Sequence, residues 1–151
     1  MFLLTEQPIQ PPLLKQSLLH HDCGGFASFE GWVRDWNEGR RVQSLLYESF
    51  EELALKEGEK VIEEARKRFP IRDVKAVHRT GHLELGEITI WIGVASRHRE
   101  EAFMACRYAI DAIKARLPIW KKEFYLNGET AWVGCSHCSK LKQKNEATCT
   151  Q

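Results

Sequence analysis

The sequence lacks any apolar run near the ~18–20 residues that a membrane-spanning helix needs. It also lacks net charge, since 22 Lys and Arg stand against 21 Asp and Glu and give +1 at pH 7. A neutral chain is a poor general coat for nucleic acid or anionic membrane, so neither partner is expected, although a local basic pocket is compatible with this balance. The first residues, 1–6, carry no basic segment of the kind that opens an export signal, so we expect a cytoplasmic protein.

Cysteine is scarce and odd in number, with five residues in all, which argues against a disulfide framework. Cys135 and Cys138 have half of a zinc-ribbon spacing, and only Cys149 remains as a further partner. A structural zinc ion takes four ligands, so no metal site is predicted. The glycine-rich nucleotide-binding motifs, the H-E-x-x-H zinc motif and the G-x-S-x-G hydrolase motif are also missing, and no cofactor is predicted.

What the sequence does contain is the patterning of one α+β domain. Its 151 residues are 43% hydrophobic and 28% charged, as in ordinary globular proteins. The apolar spacing predicts strands at 26–33, 42–48, 74–78 and 88–95, helices at 50–69 and 96–117, and a β-hairpin at 119–133. This order favours a mainly antiparallel sheet with two main helices and a C-terminal β-hairpin. We expect an N-terminal lead-in at 1–23, the domain at 24–134 and a polar, flexible tail at 135–151.

The polar, glycine-containing stretch 34–41 is predicted to be a loop, and the stretch 80–87 to be rich in turns. Proline residues mark the ends of both helices, because Pro70 and Pro118 follow the last periodic apolar positions. Ser96 is predicted to cap the second helix, with Glu100 and Glu101 complementing the helix dipole in its first turn.

The predicted strand-to-helix junction carries the run Ser96-Arg97-His98-Arg99. A helix N-terminus offers unpaired backbone N–H groups, so His98 and Arg99 at this position suit a phosphate group. The alternative is an exposed basic turn that binds nothing. Such junctions are common, and the residues alone favour that alternative.

Lys114 lies at the edge of the buried stripe of the second helix, near Arg107 and Asp111 in sequence. Neighbouring cations disfavour the ammonium form of a lysine, which suits a nucleophile or proton donor. The alternative, favoured by the residues alone, is a solvated lysine that complements the C-terminal end of the helix dipole.

The predicted hairpin places charged residues next to this lysine in the chain. A two-residue type I′ turn at Asn127-Gly128 would pair Glu123 with Trp132 and Lys121 with Gly134. Strand alternation puts Lys121 and Glu123 on one face and Lys122 on the other. Lys121 and Glu123 either line an anion pocket or form an ordinary cross-strand charge pattern.

Four blocks of this sequence, in this order, resemble the large, catalytic subunit of molybdopterin synthase, the MoaE family. The matching runs are 29–34 (FEGWVR), 78–87 (HRTGHLELGE), 96–103 (SRHREEAF) and 111–123 (DAIKARLPIWKKE), with Trp132-Val133 closing the pattern. The resemblance covers about residues 24–134 and implies the α/β-hammerhead fold.

The resemblance also implies a reaction. Members of this family transfer sulfur to cyclic pyranopterin monophosphate, an anionic pterin phosphate, to form the dithiolene of molybdopterin. The sulfur arrives as a thiocarboxylate on the C-terminal Gly-Gly of a ubiquitin-like small subunit. The implied assembly is a heterotetramer, in which a homodimer of large subunits carries one small subunit at each end.

The resemblance assigns roles to individual residues. Lys114 is implied as the catalytic lysine, with Lys121 as a second catalytic candidate. Arg34, His98 and Arg99 are implied as anchors for the pterin and its phosphate. The remaining implied substrate-binding residues are Trp32, Val33, Lys122 and Glu123, together with both lysines. Trp32 departs from the family pattern, because a lysine is expected at that position.

Two alternatives to a sulfurtransferase stay open on the sequence. One is a non-catalytic module of the same fold that docks a ubiquitin-like sulfur carrier. Arg34, His98, Arg99, Lys114 and Lys121 argue against it, since a docking surface does not need a convergent phosphate site. The other is a small zinc protein acting on nucleic acid, which rests on Cys135 and Cys138 alone.

Overall fold

The structure is a computed structural model that describes residues 1–134. Its helices are α1 (Pro11–Gln16), α2 (Glu51–Arg68) and α3 (Arg99–Arg116). Its strands are β1 (Phe2–Thr5), β2 (Gly25–Trp32), β3 (Trp36–Asn37), β4 (Arg40–Ser49), β5 (Ile71–Arg79), β6 (Gly81–Glu84), β7 (Ile88–Ser96), β8 (Ile119–Tyr125) and β9 (Thr130–Val133). No helix within 1–134 is long and apolar enough to cross a membrane.

The first sheet has the strand order β1-β5-β7-β2 and supports the two long helices. Only its β1–β5 pair is parallel, while β5–β7 and β7–β2 are antiparallel. The inward residues of this sheet and the apolar faces of α2 and α3 form the main core, which includes Val61, Ile62, Ile92, Ala105 and Ile113. The predicted α+β class with a mainly antiparallel sheet is confirmed.

The second sheet has the order β3-β4-β8-β9, with β6 also paired to β4. All of these pairs are antiparallel. A smaller apolar cluster supports it, formed by Val33, Val42, Leu45, Leu83 and Tyr125. This sheet carries β8, so its position relative to the end of α3 determines where the hairpin charges lie.

Both long helices end where the sequence predicted. Phe69 and Leu117, each directly before a proline, have extended backbones and cap α2 and α3. The predicted start of α3 was wrong by about two residues. The N-cap is His98, whose side chain makes no capping bond. The Ser96 hydroxyl donates to the His98 carbonyl and does not accept a hydrogen bond from a helix N–H, as a capping hydroxyl would.

The N-terminal segment contributes a strand that the sequence analysis did not predict. β1 pairs with β5 along its whole length, and Phe2 is almost fully buried in the main core. Gly58 in the middle of α2 makes room for it, since an added Cβ would lie 2.1 Å from the Phe2 ring. The segment 1–23 therefore completes the first sheet and its core.

The stretches predicted as a loop and as a turn-rich segment, 34–41 and 80–87, each contain a strand. Within 34–41, β3 pairs with the start of β4 across a turn in which Glu38 and Gly39 adopt positive φ. Within 80–87, β6 pairs with β4. Both strands are short and carry polar residues, so apolar alternation does not mark them.

The C-terminal hairpin is confirmed, but its predicted register was off by one residue. Glu123 pairs with Ala131 and Lys121 pairs with Val133. Gly128 alone in the turn has positive φ, and its N–H donates to the Tyr125 carbonyl. This is a three-residue loop with the glycine in the left-handed region, not the two-residue type I′ turn that Asn-Gly suggested.

Candidate active site

Two cavities share one wall where the end of α3 meets β4, β5 and β8. The shared wall consists of Tyr47, His78, Lys114 and Lys121. We call the first, of about 340 Å³, the apolar cavity; its other lining residues are Ile113, Leu117, Ile119, Trp120, Val133 and Gly134. We call the second, of about 290 Å³, the polar cavity; its other lining residues are Gly31, Trp32, Arg34, Asn37, Leu45, Thr89, Ile90 and Glu123.

The two lysines of the shared wall come from different elements. Lys114 lies in the last turn of α3 and is exposed, directly after the buried Ile113. Lys121 lies on β8 and is about one-third exposed. The structure thus brings together the two lysines that the sequence analysis named as catalytic candidates.

Glu123 is a buried carboxylate, 1% exposed, that binds three side chains at the polar cavity. It accepts a hydrogen bond from the Asn37 amide at 2.8 Å and another from the Tyr125 hydroxyl at 2.8 Å. The Lys121 ammonium lies 3.6 Å from the same carboxylate. Because both carboxylate oxygens have partners, Glu123 positions its neighbours and is poorly suited to meet an anionic ligand directly.

Arg34 reaches this network through Asn37. Its guanidinium donates to the Asn37 side-chain oxygen at 2.9 Å, while the Asn37 amide donates to Glu123. Asn37 lies on β3, so the short hairpin at 36–41 fixes the position of Arg34. Arg34 remains exposed at the mouth of the polar cavity, where it is free to meet an anion.

Two residues of the shared wall, the buried His78 and the partly buried Tyr47, were missed as site residues by the sequence analysis. His78 follows Val74 and Ala76 on the core-facing side of β5, and Tyr47 follows Leu45 on β4. A polar ring at the end of an apolar alternation is the signal that would have found them. The two rings meet edge to face, with centroids 5.0 Å apart.

Burial affects the ionisation of both rings. It lowers the pKa of His78 to about 4, partly opposed by the hydrogen bond to the Arg79 carbonyl and reinforced by the positive charge of Lys114. It raises the pKa of Tyr47 as well. At neutral pH, therefore, the shared wall consists of a neutral imidazole, a neutral phenol and two lysines.

The other predicted site residues lie at different distances from the cavities. Trp32 lines the polar cavity, and its indole N–H donates to Glu30 at 2.9 Å. Val33 instead has its side chain in the small apolar cluster. Lys122 lies on the opposite face of β8, over the rings of Phe124 and Trp132.

His98 and Arg99 stand at the far end of α3 from Lys114. Fifteen residues of helix separate Arg99 from Lys114, which corresponds to about 22 Å at 1.5 Å per residue. Neither His98 nor Arg99 lines either cavity. Within one chain, the structure therefore does not bring these two predicted anchors together with the two lysines.

No group of three or more His, Cys, Asp or Glu residues within 1–134 is arranged to hold a metal ion. Cys135, Cys138 and Cys149, which the sequence analysis weighed as half of a zinc site, lie outside the described residues. Of the described cysteines, Cys106 lies in the main core, where burial raises its thiol pKa to about 11.

Comparison with known proteins identifies the family of this chain. The family model described as MoaE protein matches residues 4–116. A molybdopterin synthase catalytic subunit of Pyrococcus abyssi is 49% identical over 110 residues, which cover 73% of this chain and 74% of that one.

Solved structures agree with this match. The crystal structure of molybdopterin synthase from Staphylococcus aureus superimposes with a TM-score of 0.82 at 33% identity, covering 87% of this chain and 95% of that one. A chain in the complex of subunits 1 and 2 of molybdopterin-converting factor from Helicobacter pylori has the same fold, with a TM-score of 0.72 at 20% identity over 87% of this chain and 89% of that one. The chain therefore belongs to the MoaE protein family, whose curated relatives are named molybdopterin synthase catalytic subunits.

Proposed function

We propose that this chain is the catalytic subunit of a molybdopterin synthase. In this function it transfers sulfur from the C-terminal thiocarboxylate of a ubiquitin-like small subunit to cyclic pyranopterin monophosphate, which forms the molybdopterin dithiolene. The observation that carries the proposal is the shared wall, since Lys114 and Lys121 stand between two cavities of different character. This arrangement suits a reaction that brings two separate anionic reactants together.

The polar cavity suits the pterin phosphate. Arg34 offers an exposed guanidinium, and Lys121 adds a second positive charge on the same side. Fixed cations at these positions offset the repulsion between a phosphate and an approaching thiocarboxylate without rearranging during the reaction. Trp32 adds a flat aromatic surface at the mouth of the cavity, where a pterin ring has room to stack.

The apolar cavity suits the C-terminal tail of the small subunit. Its walls are Ile113, Leu117, Ile119 and Trp120, with backbone at Gly134. A Gly-Gly tail has no side chains, so it enters the apolar cavity at little steric cost. The thiocarboxylate at its end then arrives beside Lys114, where the ammonium group stabilises its negative charge.

The chemistry at the shared wall follows from these positions. The thiocarboxylate sulfur attacks a carbon of the pterin substrate, and a carbon–oxygen bond at that carbon breaks, so that the oxygen leaves with a proton supplied by Lys114 or by water. Water then attacks the acyl carbon of the tail, and the bond between that carbon and the sulfur breaks. The sulfur stays on the pterin, and the tail is released as a carboxylate. Lys114 serves this sequence by stabilising charge, by donating a proton or by taking the acyl group as a transient amide before hydrolysis.

His98 and Arg99 fit this function through a homodimer. Their distance of about 22 Å along α3 from Lys114 prevents one chain from offering all three groups to one substrate molecule. A second copy that brings the start of its α3 to the mouth of the polar cavity completes the phosphate site. The proposed assembly is accordingly a homodimer of this chain with one small subunit at each end.

Several narrower assignments remain predictions. We keep Val33 and Lys122 as predicted substrate contacts, although neither lines a cavity in a single chain. The cytoplasmic location and the division of the chain at residues 23 and 134 also stay predictions.

The experiment that tests the function is a turnover assay with cyclic pyranopterin monophosphate and thiocarboxylated small subunit. We expect product from the wild type and from Lys67→Ala, an exposed α2 control, and a loss of at least about 1,000-fold in Lys114→Ala. Binding of the small subunit should persist in all three proteins. Absence of product from the wild type, with the small subunit bound, would instead favour a docking module without catalytic activity.

A further inference from the structure

We propose that His78 is a positioning residue for Lys114, acting as a neutral acceptor whose Nε2 orients the lysine amine between the two cavities. The inference rests on the proposed function, because it concerns how the reacting lysine is directed. It adds to that function a buried residue from a different strand, which binds no substrate in this account.

The hydrogen bond at the other ring nitrogen sets the tautomer of His78. Nδ1 lies 2.7 Å from the carbonyl oxygen of Arg79. A carbonyl oxygen only accepts, so Nδ1 carries the proton and the Nε2 of the neutral ring has a lone pair. Within residues 1–134, Nε2 makes no hydrogen bond, so this lone pair is available to a donor in the cavities.

The orientation of the ring is fixed as well as its tautomer. His78 is 8% exposed and lies on β5 opposite Ile90 of β7, so the sheet holds its backbone. The edge-to-face contact with Tyr47 limits rotation of the imidazole. A fixed acceptor can orient a flexible lysine, whereas a mobile one cannot.

Lys114 is the donor that this acceptor fits. Both residues line both cavities, and the positive charge of Lys114 lowers the pKa of the imidazole, as a smaller cause than burial or the hydrogen bond to Arg79. Lys121 has a carboxylate 3.6 Å away, while Lys114 has no ion-pair partner among the described residues. A neutral acceptor orients an amine without the strong hold on the ammonium form that a carboxylate exerts.

Two substitutions separate the role of Nε2 from the role of Nδ1. His78→Asn places an amide nitrogen near the Nδ1 position, which keeps a donor for the Arg79 carbonyl and removes the acceptor at Nε2. His78→Gln extends its amide to the Nε2 position, so that an acceptor oxygen can face Lys114. The pair therefore exchanges the two functions of the ring while keeping a polar side chain of similar size.

The assay is turnover with thiocarboxylated small subunit, with kcat and KM for the pterin measured separately. We expect His78→Asn to lower kcat roughly 10-fold or more while KM changes less than about 3-fold, and we expect His78→Gln to keep kcat within about 3-fold of the wild type. Equal losses in both variants, or no loss in either, would overturn the positioning role. A wild type without turnover would overturn the proposed function itself, which is a different outcome.

A second measurement keeps the inference testable if His78→Asn does not fold. Long-range ¹H–¹⁵N correlation spectra of the wild-type imidazoles, with His78→Gln to assign the signal, report which ring nitrogen carries the proton. We expect the Nδ1–H tautomer at neutral pH, and an Nε2 signal that shifts in Lys114→Met and stays in place in Lys67→Met. An Nε2–H tautomer, or an Nε2 chemical shift that does not change in Lys114→Met, would overturn the inference.

Discussion

The two lysines of the shared wall differ in how the protein holds them. Lys121 stands beside the buried carboxylate of Glu123, which is itself fixed by Asn37 and Tyr125. Lys114 is exposed at the end of a helix and shares its surroundings with one neutral histidine. The difference matches the roles proposed above, in which Lys121 supplies a fixed charge and Lys114 reacts.

The physical reason for this difference lies in the elements that carry the residues. β8 is paired on both sides, by β4 and by β9, so it brings Lys121 and Glu123 into a rigid polar network. Lys114 lies in the last turn of α3, where it is exposed and lines both cavities. A rigid network favours binding and charge compensation, whereas an amine without an ion-pair partner is available to an incoming reactant once it is oriented.

The largest effect on folding stability is expected from the protonation of His78 as the pH falls. Its pKa is about 4 in the folded protein and 6.5 in the unfolded chain, so the unfolded chain binds the extra proton between these values. Stability is therefore complete above pH 6.5 and declines as the pH falls towards 4, by about 3 kcal/mol in total.

Urea unfolding of the wild type and of His78→Gln at several pH values between 7 and 4 measures this loss. The variant lacks the titrating ring, so its stability should fall less steeply than that of the wild type. Carboxylates with lowered pKa, such as Glu64, lose their contribution in both proteins alike and cancel in the comparison. Parallel pH curves for the two proteins would contradict the assignment.

Removing the Glu123 carboxylate leaves Lys121, like Lys114, without an ion-pair partner among the described residues. Glu123→Gln leaves Asn37, Tyr125 and Lys121 with a weaker common partner at a buried position, which should cost about 2 kcal/mol of unfolding free energy. It should also raise the KM for the pterin, because Arg34 is positioned through Asn37.

Glu129→Gln is the matched control on the same hairpin. Glu129 is mostly exposed and faces Arg40 at 3.6 Å, so its substitution should change stability and KM little. Denaturant unfolding and steady-state kinetics on both variants decide the point. Similar small effects from the two substitutions would show that the network does not fix the polar cavity.

The smallest effect on stability and activity is expected from substituting Arg116, which lies two residues after Lys114 and bridges α3 to α2. Its guanidinium meets Glu64 at 2.5 Å and Glu57 at 3.3 Å, but the three side chains are partly exposed. Arg116→Met should therefore lower stability by less than about 1 kcal/mol and should leave kcat unchanged. Loss of activity in this variant at full stability would mean that the end of α3 must be clamped for Lys114 to work.

The sequence predicted the elements whose own residues determine them. The helices at 51–68 and 99–116 have long apolar stripes and end before Pro70 and Pro118, and β7 has a continuous apolar run. Prediction from the sequence failed for the elements whose structure is determined by tertiary contacts. β3 and β6 are strands because β4 accepts them as partners, and the hairpin register follows from a three-residue loop that Asn-Gly does not reveal.

The candidate site shows the same limit. The alternation of β8 correctly placed Lys121 and Glu123 on one face and Lys122 on the other. No local pattern shows that β5 and β4 bring His78 and Tyr47 to the same wall as Lys114, because those contacts span long distances in the chain. The roles proposed for His98 and Arg99 involve a second chain, so no argument from one chain reaches them.

The central claim is that Lys114 reacts while Lys121 supplies fixed charge. Steady-state kinetics of Lys114→Ala and Lys121→Ala, measured side by side with thiocarboxylated small subunit and cyclic pyranopterin monophosphate, test it most directly. We expect Lys114→Ala to lose kcat at least about 1,000-fold, and Lys121→Ala chiefly to raise the KM for the pterin. A Lys114→Ala protein with near-normal kcat, beside an inactive Lys121→Ala protein, would contradict it.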